Sequence, residues 1–193
     1  MITTAEWTRL ADRCFARRYE SFDLTVAVVV GDEGLLVVDS RASLAEGREL
    51  LADVRALSDL PVRALVNTHQ HYDHTFGNAA FEGVPVVAHE SLLETLPGHA
   101  DRTRAECRRA QGDPRRTATA ETPLRLPDTT FASVWAVDLG DCYVELVHPG
   151  RGHTSGDVVV SIPGSGVVVV GDLVEQSGPP SYGDDSWPLE WPG

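Results

Sequence analysis

The segment Arg63-Ala64-Leu65-Val66-Asn67-Thr68-His69-Gln70-His71-Tyr72-Asp73-His74 passes from a short apolar run into three imidazoles and a carboxylate packed into six residues. Its first half reads as a buried strand that delivers the polar cluster at its C-terminal edge. Neutral imidazole nitrogen and carboxylate oxygen are the donors that zinc and its first-row neighbours accept. Four such groups this close therefore read as most of a metal site.

The flanks set that strand in an α/β protein. Upstream, Leu24–Val30 and Leu35–Val38 are β-rich runs around Gly31-Asp32-Glu33-Gly34, a hairpin signature. Asp39-Ser40 closes the second run, and Ser43 caps a helix reaching Ser58. Residues 4 to 18 suit a first helix, with Thr4 as N-cap and Arg17 and Arg18 in its last turn. Downstream comes a strand at Val84–Ala88 and a charged helical stretch from Ser91 to about Arg116. Residues 117 to 129 read as a connection, and strands follow at Phe131–Val137, Tyr143–Val147, Asp157–Ile162 and Val167–Val170. Strands alternating with helices and then a β-rich run give one mixed domain over residues 1–193, its sheet faces covered by helices.

Bulk properties narrow the partners. The net charge of −13 repels phosphate backbones, so a nucleic-acid partner is not expected and a small-molecule substrate is. All sixteen basic residues are arginine, and the densest group, Arg102 to Arg116, is interrupted by acids as on a solvated helix face. Cys14, Cys107 and Cys142 are too far apart for a thiolate zinc knuckle or a disulfide framework. Reduced thiols, an N-terminus without an export signal and the lack of a membrane-length apolar run predict a cytoplasmic protein that does not engage a membrane.

Two later motifs gain weight beside the cluster. Gly152-His153-Thr154-Ser155-Gly156-Asp157 is a glycine-bounded turn carrying a histidine, and Val167-Val168-Val169-Val170-Gly171-Asp172 is a buried-looking strand ending in a carboxylate. Together, Thr68-His69-x-His71-x-Asp73-His74, Gly152-His153-Thr154-x-Gly156-Asp157 and Gly171-Asp172-Leu173 resemble the metallo-β-lactamase superfamily of metallohydrolases over residues 22 to 175. The resemblance implies an αββα sandwich with its site at one edge, incomplete at the C-terminal side of this chain. It implies His69, His71 and His153 at a first metal site, Asp73 and His74 at a second, and Asp172 bridging. Spacing agrees, because residues i and i+2 of an extended segment share a side, whereas Asp73 and His74 lie where the chain turns. Asp39 matches the strand-end aspartate of the superfamily and reads as an orienting partner for a ligand imidazole. His89, His99 and His148 read as ordinary half-buried imidazoles.

The chemistry implied is metal-dependent hydrolysis of an ester, thioester, lactone or amide, with two zinc ions acidifying water and Asp73 handling a proton. Iron or manganese would suit the same donors. Asp73-His74-Thr75-Phe76-Gly77-Asn78 resembles the glyoxalase-II-like and general hydrolase branches, while Tyr72 stands where nucleic-acid-processing members carry glycine. The superfamily usually adds a final histidine after the bridging aspartate, and no histidine follows His153 here. Two alternatives share these residues: a mononuclear iron persulfide dioxygenase, and a non-catalytic metal-binding remnant.

Overall fold

The valine-rich runs on either side of Gly31-Asp32-Glu33-Gly34 pair as antiparallel strands β3 (Leu24–Val30) and β4 (Leu35–Val38), with Val30 opposite Leu35. The computed structural model describes residues 7–110 and 112–191. Both faces of these strands are apolar because both are covered. Val26, Val28 and Val37 face helix α1 (Leu44–Leu57), whereas Ala27, Val29 and Leu36 face a second sheet. Ser43 caps α1 by accepting from the Glu46 backbone N–H at 3.2 Å, and Leu50, Val54 and Leu57 form its buried stripe. Each of these fully buried side chains stabilises the fold by roughly 1.5–3 kcal/mol.

The first sheet has seven strands in chain order: β1 (Thr8–Ala11), β2 (Cys14–Tyr19), β3, β4, β5 (Val62–Val66), β6 (Val86–His89) and β7 (Thr129–Phe131). Pairing is antiparallel through β4 and parallel from β4 to β7. The second sheet is an antiparallel set of four, in the order β11 (Val167–Val169), β10 (Val159–Ile162), β9 (Tyr143–Val147) and β8 (Val134–Asp138). Val144, Leu146, Val160 and Ile162 fill the space between the sheets, while Val134, Tyr143 and Val168 on the outer face are more than half exposed. A helix layer over one sheet that packs on another is the α/β sandwich expected.

Several local expectations are corrected. Residues 8–19 form the β1–β2 hairpin rather than a helix; the expected Thr4 cap lies outside the described residues. Phe15 and Tyr19 are four apart, so they share a face in a strand as well as in a helix, and the period alone could not choose. Pairing with β3, Cys14 opposite Val29 through Tyr19 opposite Leu24, decides for the strand. The charged helix is two helices, α3 (Leu92–Arg109) and α4 (Pro114–Glu121), so part of the expected connection is helical. Gly112 at φ 93° and Pro114, which cannot continue a helix, separate them. The run Phe131–Val137 is split between β7 and β8, which belong to different sheets. Strand β11 is an edge strand with Val168 exposed, not a buried one. The three cysteines are buried and free, and among the described residues no helix is long and apolar enough to cross a membrane.

One glycine ties this frame to the histidine cluster. After the short helix α2 (Tyr72–Thr75), Gly77 lies against Ser40, where an added Cβ would stand 1.7 Å from the Ser40 carbonyl oxygen. Gly77→Ala is expected to destabilise the protein by about 1–3 kcal/mol through overpacking. Gly98→Ala in α3, whose Cβ would meet nothing nearer than the Arg102 guanidinium at 3.7 Å, is expected to stabilise by about 0.5–1 kcal/mol. Denaturant melts of both variants check the pair; equal midpoints would refute the close approach at Gly77.

Candidate metal centre

Strands β4 and β5 run in parallel with Val38 opposite Val66, so their C-terminal ends bring Asp39 beside Thr68. Asp39 leaves β4 with φ 66°, a left-handed conformation that its hydrogen bonds hold in place. Its carboxylate accepts from the Thr68 backbone N–H (2.8 Å), from Thr68 Oγ1–H (2.8 Å) and from His74 Nδ1–H (2.8 Å). Thr68 Oγ1 in turn accepts from His69 Nδ1–H at 3.0 Å. The chain past β5 bends through Thr68, His69 and Gln70, is extended at His71, then turns into α2, which carries Asp73 and His74.

The other sheet supplies the rest. Ahead of β10, Asp157 accepts from the Thr154 backbone N–H (3.0 Å) and side-chain hydroxyl (2.8 Å), closing the turn that presents His153. Val158 N–H donates to the Thr68 carbonyl (2.8 Å), which locks this turn to the end of β5. After β11, Gly171 has φ 53° and lies so near Thr68 that a Cβ would come within 2.9 Å of it. Only glycine fits there, and it brings Asp172 over the cluster.

All six residues singled out in the sequence meet at this edge. Donor atoms of His69, His71, His153 and Asp172 lie within 4.8 Å of one another. Asp172 faces both ways: Oδ2 is 3.5 Å from His153 Nε2 and 3.8 Å from His69 Nε2, while Oδ1 is 3.4 Å from His74 Nε2. Asp73 Oδ2 lies 3.6 Å from that same His74 nitrogen. The six thus form two adjoining sets joined through Asp172.

Outer hydrogen bonds assign the imidazole tautomers. His69 gives its Nδ1 proton to Thr68, His74 to Asp39, and His153 to the Ser181 carbonyl (3.1 Å). His71 gives its Nε2 proton to Asp185 (3.1 Å). The inward nitrogens of His69, His71 and His153 are left as lone pairs. His71 Nδ1 and His153 Nε2 stand 2.9 Å apart, and buried His69 Nε2 has no hydrogen-bond partner. Lone pairs at this separation repel unless a cation lies among them, so the donor set fits a metal ion.

Electrostatics agree. Burial, followed by the neighbouring imidazoles, pushes His69 well below the ordinary imidazole value and lowers His153 too, keeping both neutral and available as ligands. Burial also opposes protonation of His74, but Asp39, Asp73 and Asp172 outweigh it and raise its pKa well above the ordinary value. The second set therefore favours a positive charge.

Two residues here were not expected. Asp185 has no spacing that marks it and arrives through an irregular segment. His99 stands beside the centre, its ring 4.9 Å from that of His71 and tilted 31° to it, with its Nε2 accepting from the Tyr72 backbone N–H at 3.2 Å. Burial, then His71, pushes it down to about 4. His89 and His148 stack on each other at 3.9 Å and bond to Ser91, the Ala132 carbonyl and the Asp157 carbonyl, the plain role expected of them.

The profile of the metallo-beta-lactamase superfamily matches residues 22–191. The chain is 27% identical over 161 residues to a metallo-beta-lactamase type 2 from Bacillus sp., covering 82% of this chain and 54% of that protein. It is 36% identical over 77 residues to a linear primary-alkylsulfatase from Pseudomonas sp., covering 36% of this chain and 15% of that protein. Among solved structures, a metallo-beta-lactamase from Pontibacter korlensis superposes with a TM-score of 0.68 at 24% identity, over 89% of this chain and 73% of that one. The chain spans about half the length of the Bacillus relative it matches.

Because Asp39 orients both Thr68 and His74, Asp39→Asn is expected to weaken metal binding by about 10–100-fold. Competition with a chromogenic chelator measures this, and unchanged affinity would remove Asp39 from the support of the centre.

Proposed function

Because the chain belongs to the metallo-β-lactamase superfamily, we propose that it is a metal-dependent hydrolase acting on an ester, thioester, lactone or amide. The observation that carries this reading is the inward convergence of unprotonated nitrogens, with His69 Nε2 buried and unpartnered and His71, His153 and Asp172 donors within 4.8 Å. His69, His71 and His153 would hold one ion; Asp73, His74 and Asp172 would hold a second, with Asp172 shared. Zinc bound there would acidify water toward neutrality and polarise a carbonyl, so no serine or cysteine nucleophile is required.

The remaining work falls to side chains. Asp73, 20% exposed and on the wall of the cleft beside the second set, would orient a water and pass its proton to a leaving group. The cleft has a volume of 770 Å³ and opens past Leu10, Phe22, Val168 and Val174, all exposed apolar residues. These four give an apolar stretch to a lining that also carries Arg18, Asp23, Glu175 and Gln176, and that stretch would take a hydrophobic flank of a small substrate. Phe22 holds a left-handed φ of 62° and packs edge-on against Tyr72 at 5.3 Å, which sets its ring at this wall. Relatives named for an alkylsulfatase and for β-lactamases differ in the substrate their names give, so they support a metal-dependent hydrolase in general and no one substrate. Free buried thiols favour a reducing compartment, and we assign the protein to the cytoplasm.

Metal analysis of purified protein, with turnover of chromogenic esters, thioesters and lactones, tests the reading. Zinc should co-purify, chelation should abolish turnover, and His71→Ala should lower it more than about 100-fold. Metal-free wild type, or unchanged hydrolysis in the variant, would end the proposal. Iron with oxygen uptake on a persulfide would replace hydrolysis by oxidation. On substrates with long apolar acyl groups, Phe22→Ala should raise KM about tenfold relative to acetyl substrates while leaving kcat nearly unchanged. A uniform loss of kcat would place Phe22 outside the substrate wall.

A further inference from the structure

One irregular segment meets the outer nitrogens of two of the four imidazoles. Beyond Asp172 the chain runs back over the centre and is pinned at several points. Trp191 Nε1–H donates to the Leu173 carbonyl (3.1 Å), Trp187 N–H to the Gly152 carbonyl (2.8 Å), and Ser186 Oγ–H to the His153 carbonyl (2.8 Å). Arg151 grips Glu190 with two hydrogen bonds (2.9 and 2.7 Å) and stacks on the Trp187 ring at 3.8 Å. So held, the segment sets the Ser181 carbonyl against His153 Nδ1–H and the Asp185 carboxylate against His71 Nε2–H. Asp185 is itself fixed by Gln70, a buried residue whose Nε2–H donates to the same oxygen at 2.8 Å.

We propose that Asp185 is the positioning residue for His71, and that through it the segment 174–191 seats over the centre when metal binds. The inference rests on the reading of the site as a metal centre. An anionic acceptor on Nε2 keeps the proton there and the Nδ1 lone pair inward, and it makes that nitrogen a stronger donor. Without it, His71 can carry its proton on Nδ1, facing His153 Nε2 at 2.9 Å, and is then no ligand. His71, His99 and Asp185 also lie within 4.8 Å of one another, so a separate cation held by those three is the rival arrangement. His99 Nε2 already accepts from the Tyr72 backbone N–H, which removes its lone pair from such a site.

The full chain is tested with zinc, and with cobalt(II) as a spectroscopic stand-in. In chelator competition, Asp185→Asn and Asp185→Ala should each bind zinc about 10–100-fold more weakly than wild type, while Asp185→Glu, which keeps an anionic acceptor, recovers most of the affinity. The cobalt absorption bands should shift in the Asn and Ala variants. Zinc should slow chymotryptic cleavage at Tyr182 in the wild type and not in Asp185→Asn. Melts without metal should match wild type, separating positioning from a folding defect. Zinc affinity within twofold of wild type in both neutral variants would overturn the proposal. So would the loss of one whole ion with the remaining binding unchanged, which would make Asp185 a ligand. Wild type that binds no zinc would overturn the metal centre itself, an outcome distinct from either.

Discussion

A buried carboxylate with three donors aimed at it underlies the whole arrangement. Asp39 is 2% exposed, and moving an ionised carboxylate out of water costs several kcal/mol unless its oxygens are satisfied. Thr68 and His74 satisfy them, and the cost is met only when the ends of β4 and β5 are in register. Around this core lies a closed polar network. The His74 carbonyl accepts from Ser40 N–H, Ser40 Oγ–H and Asn67 Nδ2–H, and Asn67 and Asn78 exchange amide hydrogen bonds. A network with every member paired is rigid, whereas a partly paired one is costly. His69 and His74 are therefore held in place before any ion arrives.

Charge follows the same plan. Two kinds of imidazole share one pocket: His69 and His153 are held neutral by burial, and His74 is drawn toward the protonated form by three carboxylates. Asp172 lies between them, and despite burial its contacts with His74, His153 and His71 keep its carboxyl below the usual range. A proton on His74 and a metal ion are thus competing occupants of the same negative potential, inside a protein whose net charge is −13.

What could be read from the sequence divides along physical lines. The donor residues were readable because side-chain chemistry and local spacing are properties of the sequence, and because Asp39, His69 and Asp172 each stand just past a strand end. Helix α1 was readable from its cap and periodic leucines. The β1–β2 hairpin was not, because Phe15 and Tyr19 satisfy two periods at once and only pairing with β3 separates them. The exposure of β11 was hidden for a related reason: four consecutive valines look alike at a sheet centre and at an edge, and position in the sheet is a tertiary fact. Asp185 was invisible because its role depends on a loop path, and no local pattern encodes which imidazole a loop residue will reach.

That division also separates two grades of support within the centre. The outer partners of His69 and His74 are Thr68 and Asp39, both nearly fully buried at the junction of two strands. The outer partners of His71 and His153 are Asp185 and the Ser181 carbonyl, carried on a segment where Ser181 and Tyr182 are exposed. Segments with few buried apolar contacts open at lower free energy than strands in a core. Opening of this one would free the outer nitrogens of His71 and His153, and so relax their tautomers, while His69, His74 and Asp172 keep their places. The half of the centre built from strands is fixed by folding, and the half completed by the loop is fixed only while the loop is seated.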